Sequence, residues 1–166
     1  MTMTVEFVFG SEVMANGFFL NNELTDFSFD PVREGKPVAN APAPGKRPMS
    51  AMSPTIVFGP DGKFAIATGS PGGPAIIDFV AQSLIDMIDG GMTARDAVAA
   101  PHALNLNTLT ILEKGTALEG LTASLTAMGH TVSSRDLESG LHIVQRVRGG
   151  YVGGADPRRD GVALGD

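Results

Sequence analysis

Two kinds of hydrophobic pattern alternate along the chain. Short apolar runs rich in β-branched and aromatic residues, bounded by glycine, proline or polar residues, predict strands. These runs cover residues 1–9, 17–20, 55–58, 64–67, 109–112, 131–135, 141–148 and 151–152. Apolar residues at helical spacing predict helices over 75–89, 93–100 and 117–128. An order of strands, then helices, then strands is typical of an α+β layered fold.

Turn and loop signals set the limits of these elements. The sequence Gly-Pro-Asp-Gly at 59–62 is a strong turn signal between two apolar runs, both of which we expect to be buried on two faces. Residues 25–45 hold four prolines and show little periodicity, which predicts a long irregular surface loop. Thr93 and Asp96 have the spacing of a helix capping box.

Composition and charge narrow the possible functions. A length of 166 residues with 43% hydrophobic and 18% charged residues fits a single domain over 1–166. The net charge of −6 and the lack of a basic stripe argue against nucleic acid as a partner. The chain has no cysteine, so disulfides and cysteine nucleophiles are excluded. Because His102, His130 and His142 lack metal-ligand spacing, we expect them to be structural, and we expect no metal and no cofactor.

A glycine turn at 69–73 lies between the predicted strand at 64–67 and the predicted helix at 75–89. Glycines at such a position let the backbone approach a ligand, and the first N–H groups of a helix have no partner inside the helix. Fixed donors of this kind stabilise a developing oxyanion. Glycine content alone favours the simpler interpretation, a turn that only connects two elements.

Two further segments carry polar groups of interest. Ser50 follows Lys46 and Arg47, and this group of side chains suits a carboxylate, although a basic surface turn is the better interpretation of this segment alone. Glu23 and Asp26 are three residues apart near a predicted strand end, where they suit an ammonium group. Taken alone, this pair is better explained by capping of the loop through local hydrogen bonds.

Taken together, these segments resemble the small catalytic subunit of the gamma-glutamyltranspeptidase family. The matching motifs are 20–27 (Leu-Asn-Asn-Glu-Leu-Thr-Asp-Phe), 47–55 (Arg-Pro-Met-Ser-Ala-Met-Ser-Pro-Thr), 69–73 (Gly-Ser-Pro-Gly-Gly) and 155–158 (Ala-Asp-Pro-Arg). They occur in the family's order and at about its spacing, and the resemblance covers nearly the whole chain. Each motif is weak alone, but the combination is specific.

The resemblance implies a fold and a reaction. It implies the four-layer αββα sandwich of the N-terminal-nucleophile hydrolases, of which this chain would be the incomplete small-subunit part. In that family a precursor cuts itself before a threonine, which then attacks gamma-glutamyl amides such as glutathione and transfers the acyl group to water or an amino acid. The large subunit of the same precursor is the implied partner. The cellular compartment is not determined, although the resemblance favours the periplasm or the exterior of the cell.

The resemblance also implies roles for individual residues. Gly72 and Gly73 would form the oxyanion hole, and Thr4 would support the nucleophile. Asp26, with Glu23 beside it, would bind the substrate ammonium group. Ser50 would bind the substrate carboxylate.

Three departures from the family pattern change the expectation. No Thr-Thr-His-type nucleophile motif is present, so we expect a truncated chain that is inactive by itself. Glu6 stands where the family often has a substrate-contacting asparagine, and a carboxylate there would repel a substrate carboxylate. Ala51 replaces the second serine of a carboxylate-binding pair. The last two departures indicate altered acyl specificity.

Several alternatives remain open at this point. One is a paralogue that cleaves glutaryl-type amides, and another is a non-catalytic fragment that binds amino acids. A missing edge strand would also leave an unpaired sheet edge, which predicts self-association.

Overall fold

The computed structural model describes residues 3–7 and 9–165. The chain divides into two compact units, residues 1–50 and 51–166. Within the described residues, every helix is too short or too polar to cross a bilayer.

A small hairpin forms early in the first unit. Strands β1 (Met14–Ala15) and β2 (Phe18–Phe19) pair antiparallel. Asn16 and Gly17 between them both have positive φ, at 50° and 83°. Two consecutive left-handed residues are the signature of a tight hairpin turn, for which Asn-Gly is the preferred sequence. The predicted strand at 17–20 is therefore present in shorter form, as β2 paired with β1.

The prediction of a strand at 1–9 is wrong for the residues that are described there. Residues 3–7 and 9 belong to no strand, and Glu6 has a φ of 71°, which is incompatible with extended backbone. Local hydrogen bonds replace the ladder, because the Glu6 N–H donates to Thr4 Oγ1 at 2.7 Å and the Phe7 N–H donates to the Val5 carbonyl at 3.1 Å. Thr2 and Val8, which the prediction also included, lie outside the described residues.

The remainder of the first unit is mostly irregular. A short 3₁₀ helix runs over Glu23–Asp26, and two-residue strands β3 (Val32–Arg33) and β4 (Lys36–Pro37) form a second small hairpin. The predicted irregular loop at 25–45 is otherwise confirmed.

The second unit contains two sheets. Their strands are β5 (Thr55–Phe58), β6 (Phe64–Gly69), β7 (Ala103–Asn105), β8 (Thr110–Glu113), β9 (Val132–Arg135), β10 (His142–Val147) and β11 (Gly150–Ala155). The larger sheet is antiparallel throughout, in the order β11–β10–β6–β5. The smaller sheet has the order β7–β8–β9, and its β8–β9 pair is parallel. All of the predicted strands after residue 50 are present, whereas β7 was not predicted.

Three α-helices complete the described part of this unit: α1 (Ile76–Ile88), α2 (Ala94–Ala99) and α3 (Thr122–Ala127). The predicted capping box is confirmed, since Thr93 Oγ1 accepts from the Asp96 N–H at 3.2 Å. A 3₁₀ segment, Ala117–Leu121, precedes α3, so the third predicted helix is only partly α-helical. The mixture of helices and sheets confirms the α+β class.

The core of this unit lies under α1. Phe79 and Val80 of α1 join Ile66 of β6 and Ile143 of β10 in one buried cluster. The face of the larger sheet away from α1 is not covered in this way. On that face, Ile56 and Phe58 of β5 are 62% and 64% exposed. The prediction that the run 55–58 is buried on two faces is therefore wrong. Because only one face of this antiparallel sheet is covered, Thr55 and Val57 are half-buried while the other two residues of β5 are exposed.

Candidate active site

The glycine turn joins the end of β6 to the start of α1. A single 3₁₀ turn over Gly73–Ala75 leads directly into the helix, with Pro74 near its start. Gly72 has a φ of 133° and Gly73 a φ of 57°. Both values lie in the region that side chains other than glycine rarely adopt.

Packing explains why position 72 must be glycine. A Cβ atom there would lie 2.7 Å from Cε2 of Phe79, a buried core residue. A Cβ atom at Gly73 would instead lie in open space. The Phe79 ring therefore supports the turn at Gly72, while the Gly73 side of the turn stays clear for a ligand.

The turn presents two backbone donors. Neither the Gly72 N–H nor the Gly73 N–H reaches an acceptor among the residues that the structure describes. Donors at the start of a helix favour negative charge. Because folding has already fixed them, they can stabilise a developing oxyanion without reorganisation.

Three carboxylates converge in the first unit. One oxygen each from Glu6, Glu23 and Asp26 lies within 4.8 Å of the others. Asn22 holds the segment around Glu6 close to Glu23. Its side-chain oxygen accepts from the Phe7 N–H at 3.2 Å, and its backbone N–H donates to the Val5 carbonyl at 3.4 Å. These bonds clamp both neighbours of Glu6 against the turn that carries Glu23.

The charges in this acidic cluster oppose each other. Burial raises the pKa of Glu23, and the negative charges of Asp26 and Glu6 raise it further. A cation placed among the three oxygens would remove this repulsion. The cluster thus suits an ammonium group, and it contains three of the residues that the sequence predicts for substrate binding.

Asn40 links the acidic cluster to the segment before Ser50. Its side chain donates to the Asp26 carbonyl at 2.6 Å and accepts from the Met49 N–H at 2.9 Å. Ser50 is exposed and Ala51 is half-buried. Asn22 and Asn40 were not predicted as organising residues, since nothing in a loop sequence indicates which distant backbone groups an asparagine will bond.

His102 lies in a buried network of the second unit. Its Nε2 is 2.8 Å from Ser139 Oγ, and Ser139 Oγ donates to Asp156 Oδ2 at 2.5 Å. Burial lowers the pKa of His102 to about 4, with a further contribution from the charge of Arg158, so the ring is neutral near pH 7. Serine, and not histidine, is the middle group of this chain, and all three side chains are at most 1% exposed. The arrangement is therefore not a nucleophilic triad, in which histidine separates serine from the acid.

A sequence model described as gamma-glutamyltranspeptidase matches residues 1–166, the whole chain. The chain belongs to the gamma-glutamyltranspeptidase family. The glutathione hydrolase proenzyme of Bacillus subtilis (strain 168) is 35% identical over 169 residues, which include 99% of this chain but only 28% of the proenzyme.

Solved structures from the family show the same fold. A mutant gamma-glutamyltranspeptidase of Helicobacter pylori aligns with a TM-score of 0.81 at 35% identity and covers 96% of this chain and 92% of the solved chain. The Pseudomonas nitroreducens enzyme, complexed with L-DON, aligns with a TM-score of 0.84 at 30% identity, covering 100% and 92%. The predicted fold of the N-terminal-nucleophile hydrolase type is confirmed, and the family consists of hydrolases and transferases of that type.

Proposed function

We propose that this chain is the small-subunit portion of an enzyme that cleaves gamma-glutamyl amide bonds. The supporting observation is a difference in length. The chain spans 28% of a curated proenzyme, yet it spans 92% of a separately solved chain of the family. A part of a precursor that forms its own polypeptide after processing would have these proportions.

The nucleophile in this proposal is a threonine upstream of the described residues, exposed when the precursor cuts itself. Its Oγ attacks the amide carbonyl carbon, and its α-amine takes the hydroxyl proton. The proton passes to the leaving amine as the C–N bond breaks, which leaves a gamma-glutamyl ester. Water or an amino acid amine then attacks the ester carbon, loses a proton and releases the threonine. Thr4 assists by presenting its hydroxyl, whose oxygen accepts from the Glu6 N–H.

The glycine turn supplies the oxyanion hole. In each step the carbonyl oxygen becomes an anion, and the N–H groups of Gly72 and Gly73 donate to it. A fixed donor of this kind contributes roughly 2.7–4 kcal/mol to transition-state stabilisation. The free donors and the open space beside Gly73 support this assignment.

The acidic cluster binds the α-ammonium group of the substrate. Asp26 and Glu23 are the principal partners, and Ser50 binds the α-carboxylate with a single hydroxyl because Ala51 offers none. Glu6 adds a third carboxylate within 4.8 Å of the other two. This extra charge repels a substrate carboxylate and increases the need for an ammonium group. A glutaryl-type amide keeps the carboxylate and lacks the ammonium group, so the glutaryl-type paralogue is the less favoured alternative.

The large subunit of the same precursor would cover the exposed face of the larger sheet. Ile56, Ala67, Val144 and Gly153 form one row across its four strands, and Ile56 and Val144 are 62% and 44% exposed. Apolar side chains in such a row favour a packed partner. Without that partner, the same face and the β5 edge favour self-association of the isolated chain.

A substrate panel tests the proposed activity. The complete, self-processed protein would be assayed with glutathione, a gamma-glutamyl anilide and the matching glutaryl anilide. Turnover of the gamma-glutamyl compounds supports the leading proposal, and turnover of the glutaryl compound alone supports the paralogue. Calorimetric binding of glutamate without any turnover would replace both with a non-catalytic binding module.

A further inference from the structure

Asp156 occupies the centre of the buried polar network in the second unit. Its side chain is 1% exposed, and both of its oxygens are fully engaged. Oδ2 accepts from Ser139 Oγ at 2.5 Å and from the Leu141 N–H at 3.1 Å. Oδ1 accepts from the N–H of Arg158 at 2.9 Å and from its Nη1 at 3.1 Å. One carboxylate thus fixes four donors from two segments of the chain.

Arg158 forms an ion pair with Asp156 and is itself held by several other acceptors. Arg158 donates to Glu113 through Nε at 2.7 Å and through Nη2 at 2.8 Å, and it also donates to the carbonyls of Val98 and Ala100 at the end of α2. Burial alone would raise the pKa of Asp156, but the hydrogen bonds from Ser139, Arg158 and Leu141 outweigh it and lower the pKa. The carboxylate is therefore ionised and oriented at neutral pH.

The first route from Asp156 to the glycine turn passes through Gly140. Its neighbours, Ser139 and Leu141, both donate to Asp156 Oδ2, so Gly140 is held from both sides. The Gly140 N–H donates to Ser70 Oγ at 3.1 Å, and Ser70 Oγ donates to the Pro71 carbonyl at 2.7 Å. A Cβ at Gly140 would lie 2.7 Å from Cγ of Pro71, which shows how closely the proline ring packs there.

The second route passes through His102. Ser139 has one hydroxyl hydrogen and donates it to Asp156, so it must accept from His102 Nε2–H. This order of donors places the imidazole proton on Nε2. The oriented ring packs against Phe79 with a centroid distance of 4.6 Å, and Phe79 lies under Gly72.

We propose that Asp156 and Ser139 are positioning residues that set the orientation of the Gly72 and Gly73 N–H groups. The inference rests on the proposed function, because it gives these two N–H groups the role of the oxyanion hole. Neither Asp156 nor Ser139 touches substrate in this account. They act through Gly140 on Ser70 and Pro71, and through His102 and Phe79 on Gly72.

Two hydroxyl deletions provide a matched test in the complete, self-processed enzyme. Ser139→Ala removes a hydroxyl that belongs to the network. Ser83→Ala removes an equally buried hydroxyl that bonds only to the Val80 carbonyl within α1. We expect Ser139→Ala to lower kcat by about tenfold while KM changes less than about twofold, because only the transition state uses the displaced donors. Ser83→Ala should leave both constants within about twofold of the wild type.

The NMR chemical shifts of the Gly72 and Gly73 amides give a readout that does not need activity. Larger changes of these shifts in Ser139→Ala and Asp156→Asn than in Ser83→Ala support the positioning role, even if the complete protein has no gamma-glutamyl activity. In that last case the proposed function fails separately. Unchanged shifts together with an unchanged kcat in Ser139→Ala would overturn the inference, as would an equal loss of kcat in Ser83→Ala.

Discussion

The acidic cluster in the first unit and the glycine turn in the second are built in different ways. Glu6, Glu23 and Asp26 sit on irregular backbone, held by asparagine side chains and by bonds between residues close in sequence. The glycine turn is anchored in the core by Phe79 and by Gly140, which is 70 residues away from Ser70 along the chain. The acidic cluster is partly exposed, and the side-chain hydrogen bonds that hold it span at most 15 residues along the chain. The glycine turn packs against the core and is held by a bond that spans 70 residues.

In the proposed function, this difference corresponds to two chemical tasks. Stabilising an oxyanion requires donors at fixed positions, and a packed core provides them. Recognising one end of a substrate by charge tolerates more movement, and loops can change it one side chain at a time. On this proposal, a carboxylate at Glu6 would alter specificity without disturbing the glycine turn.

The largest effect is expected from a substitution in the glycine turn. Gly72→Ala combines an unfavourable φ of 133° with a Cβ only 2.7 Å from Phe79. We expect the free energy of unfolding to fall by about 4 kcal/mol from strain and overpacking together. Gly62→Ala is the matched control, because it has a φ of 69° with open space around it and should cost only about 1–2 kcal/mol. Equal losses in urea denaturation would show that Phe79 does not support the turn.

Acidic pH should lower the stability of the second unit, because His102 is buried in its neutral form. Its pKa falls from 6.5 in the unfolded chain to about 4 in the folded state, so between these values the unfolded state binds more protons. Stability is therefore lost as the pH falls from 6.5 to 4, by an amount on the order of 3 kcal/mol.

Unfolding free energies measured from pH 7 to 4.5 in the wild type and in His102→Gln check this effect. Glutamine retains a donor for Ser139 but does not titrate, so its curve should be flatter. The lowered pKa values of Glu113 and Asp156 add their own loss only at more acidic pH. A wild-type curve as flat as that of the glutamine variant would contradict the assignment.

The first unit should respond to mutation in affinity rather than in stability. Asp26→Asn removes a principal partner of the substrate ammonium group, and we expect KM for a gamma-glutamyl amide to rise by about tenfold, or roughly 1.4 kcal/mol. Since the side chain is only partly buried, stability should change by less than about 0.5 kcal/mol. Steady-state kinetics and a thermal melt of the same sample measure both quantities. A large stability loss would mean that the cluster is structural.

The smallest effect is expected at Glu6. Glu6→Asn removes the carboxylate that repels the substrate carboxylate, and KM for glutathione should fall by about threefold, as for an exposed charge pair. Glu12→Asn, an exposed position outside the cluster, should change nothing. If Glu6→Asn weakens glutathione binding, Glu6 is a partner of the ammonium group and not a specificity barrier.

Prediction from sequence succeeded where the pattern is local. The helix at 75–89, the capping box of Thr93 and the turn at 59–62 depend on neighbours in the chain, and all three are present. The strand at 1–9 was predicted from its β-branched and aromatic residues. Propensity did not decide the structure of the residues described there, because the Glu6 and Phe7 N–H groups donate to the Thr4 and Asn22 side chains and favour turns.

The candidate site was predictable only in part for the same reason. Motif order identified Gly72, Gly73, Glu23 and Asp26, and the structure shows that Glu6 joins the last two. Ser139 gave no signal, because it lies in an ordinary polar stretch and its partners are 17 and 37 residues away. Buried networks between distant segments depend on the fold, and no spacing rule reveals them.

Mass spectrometry of the complete precursor tests the central claim most directly. Our account predicts two polypeptides after self-cleavage, of which the smaller begins with a threonine and contains this chain. It also predicts that replacing that threonine with alanine leaves one uncut polypeptide. A precursor that stays whole, or that is cut before a residue other than threonine, would contradict the proposal that this chain is the small subunit of a gamma-glutamyl amide hydrolase.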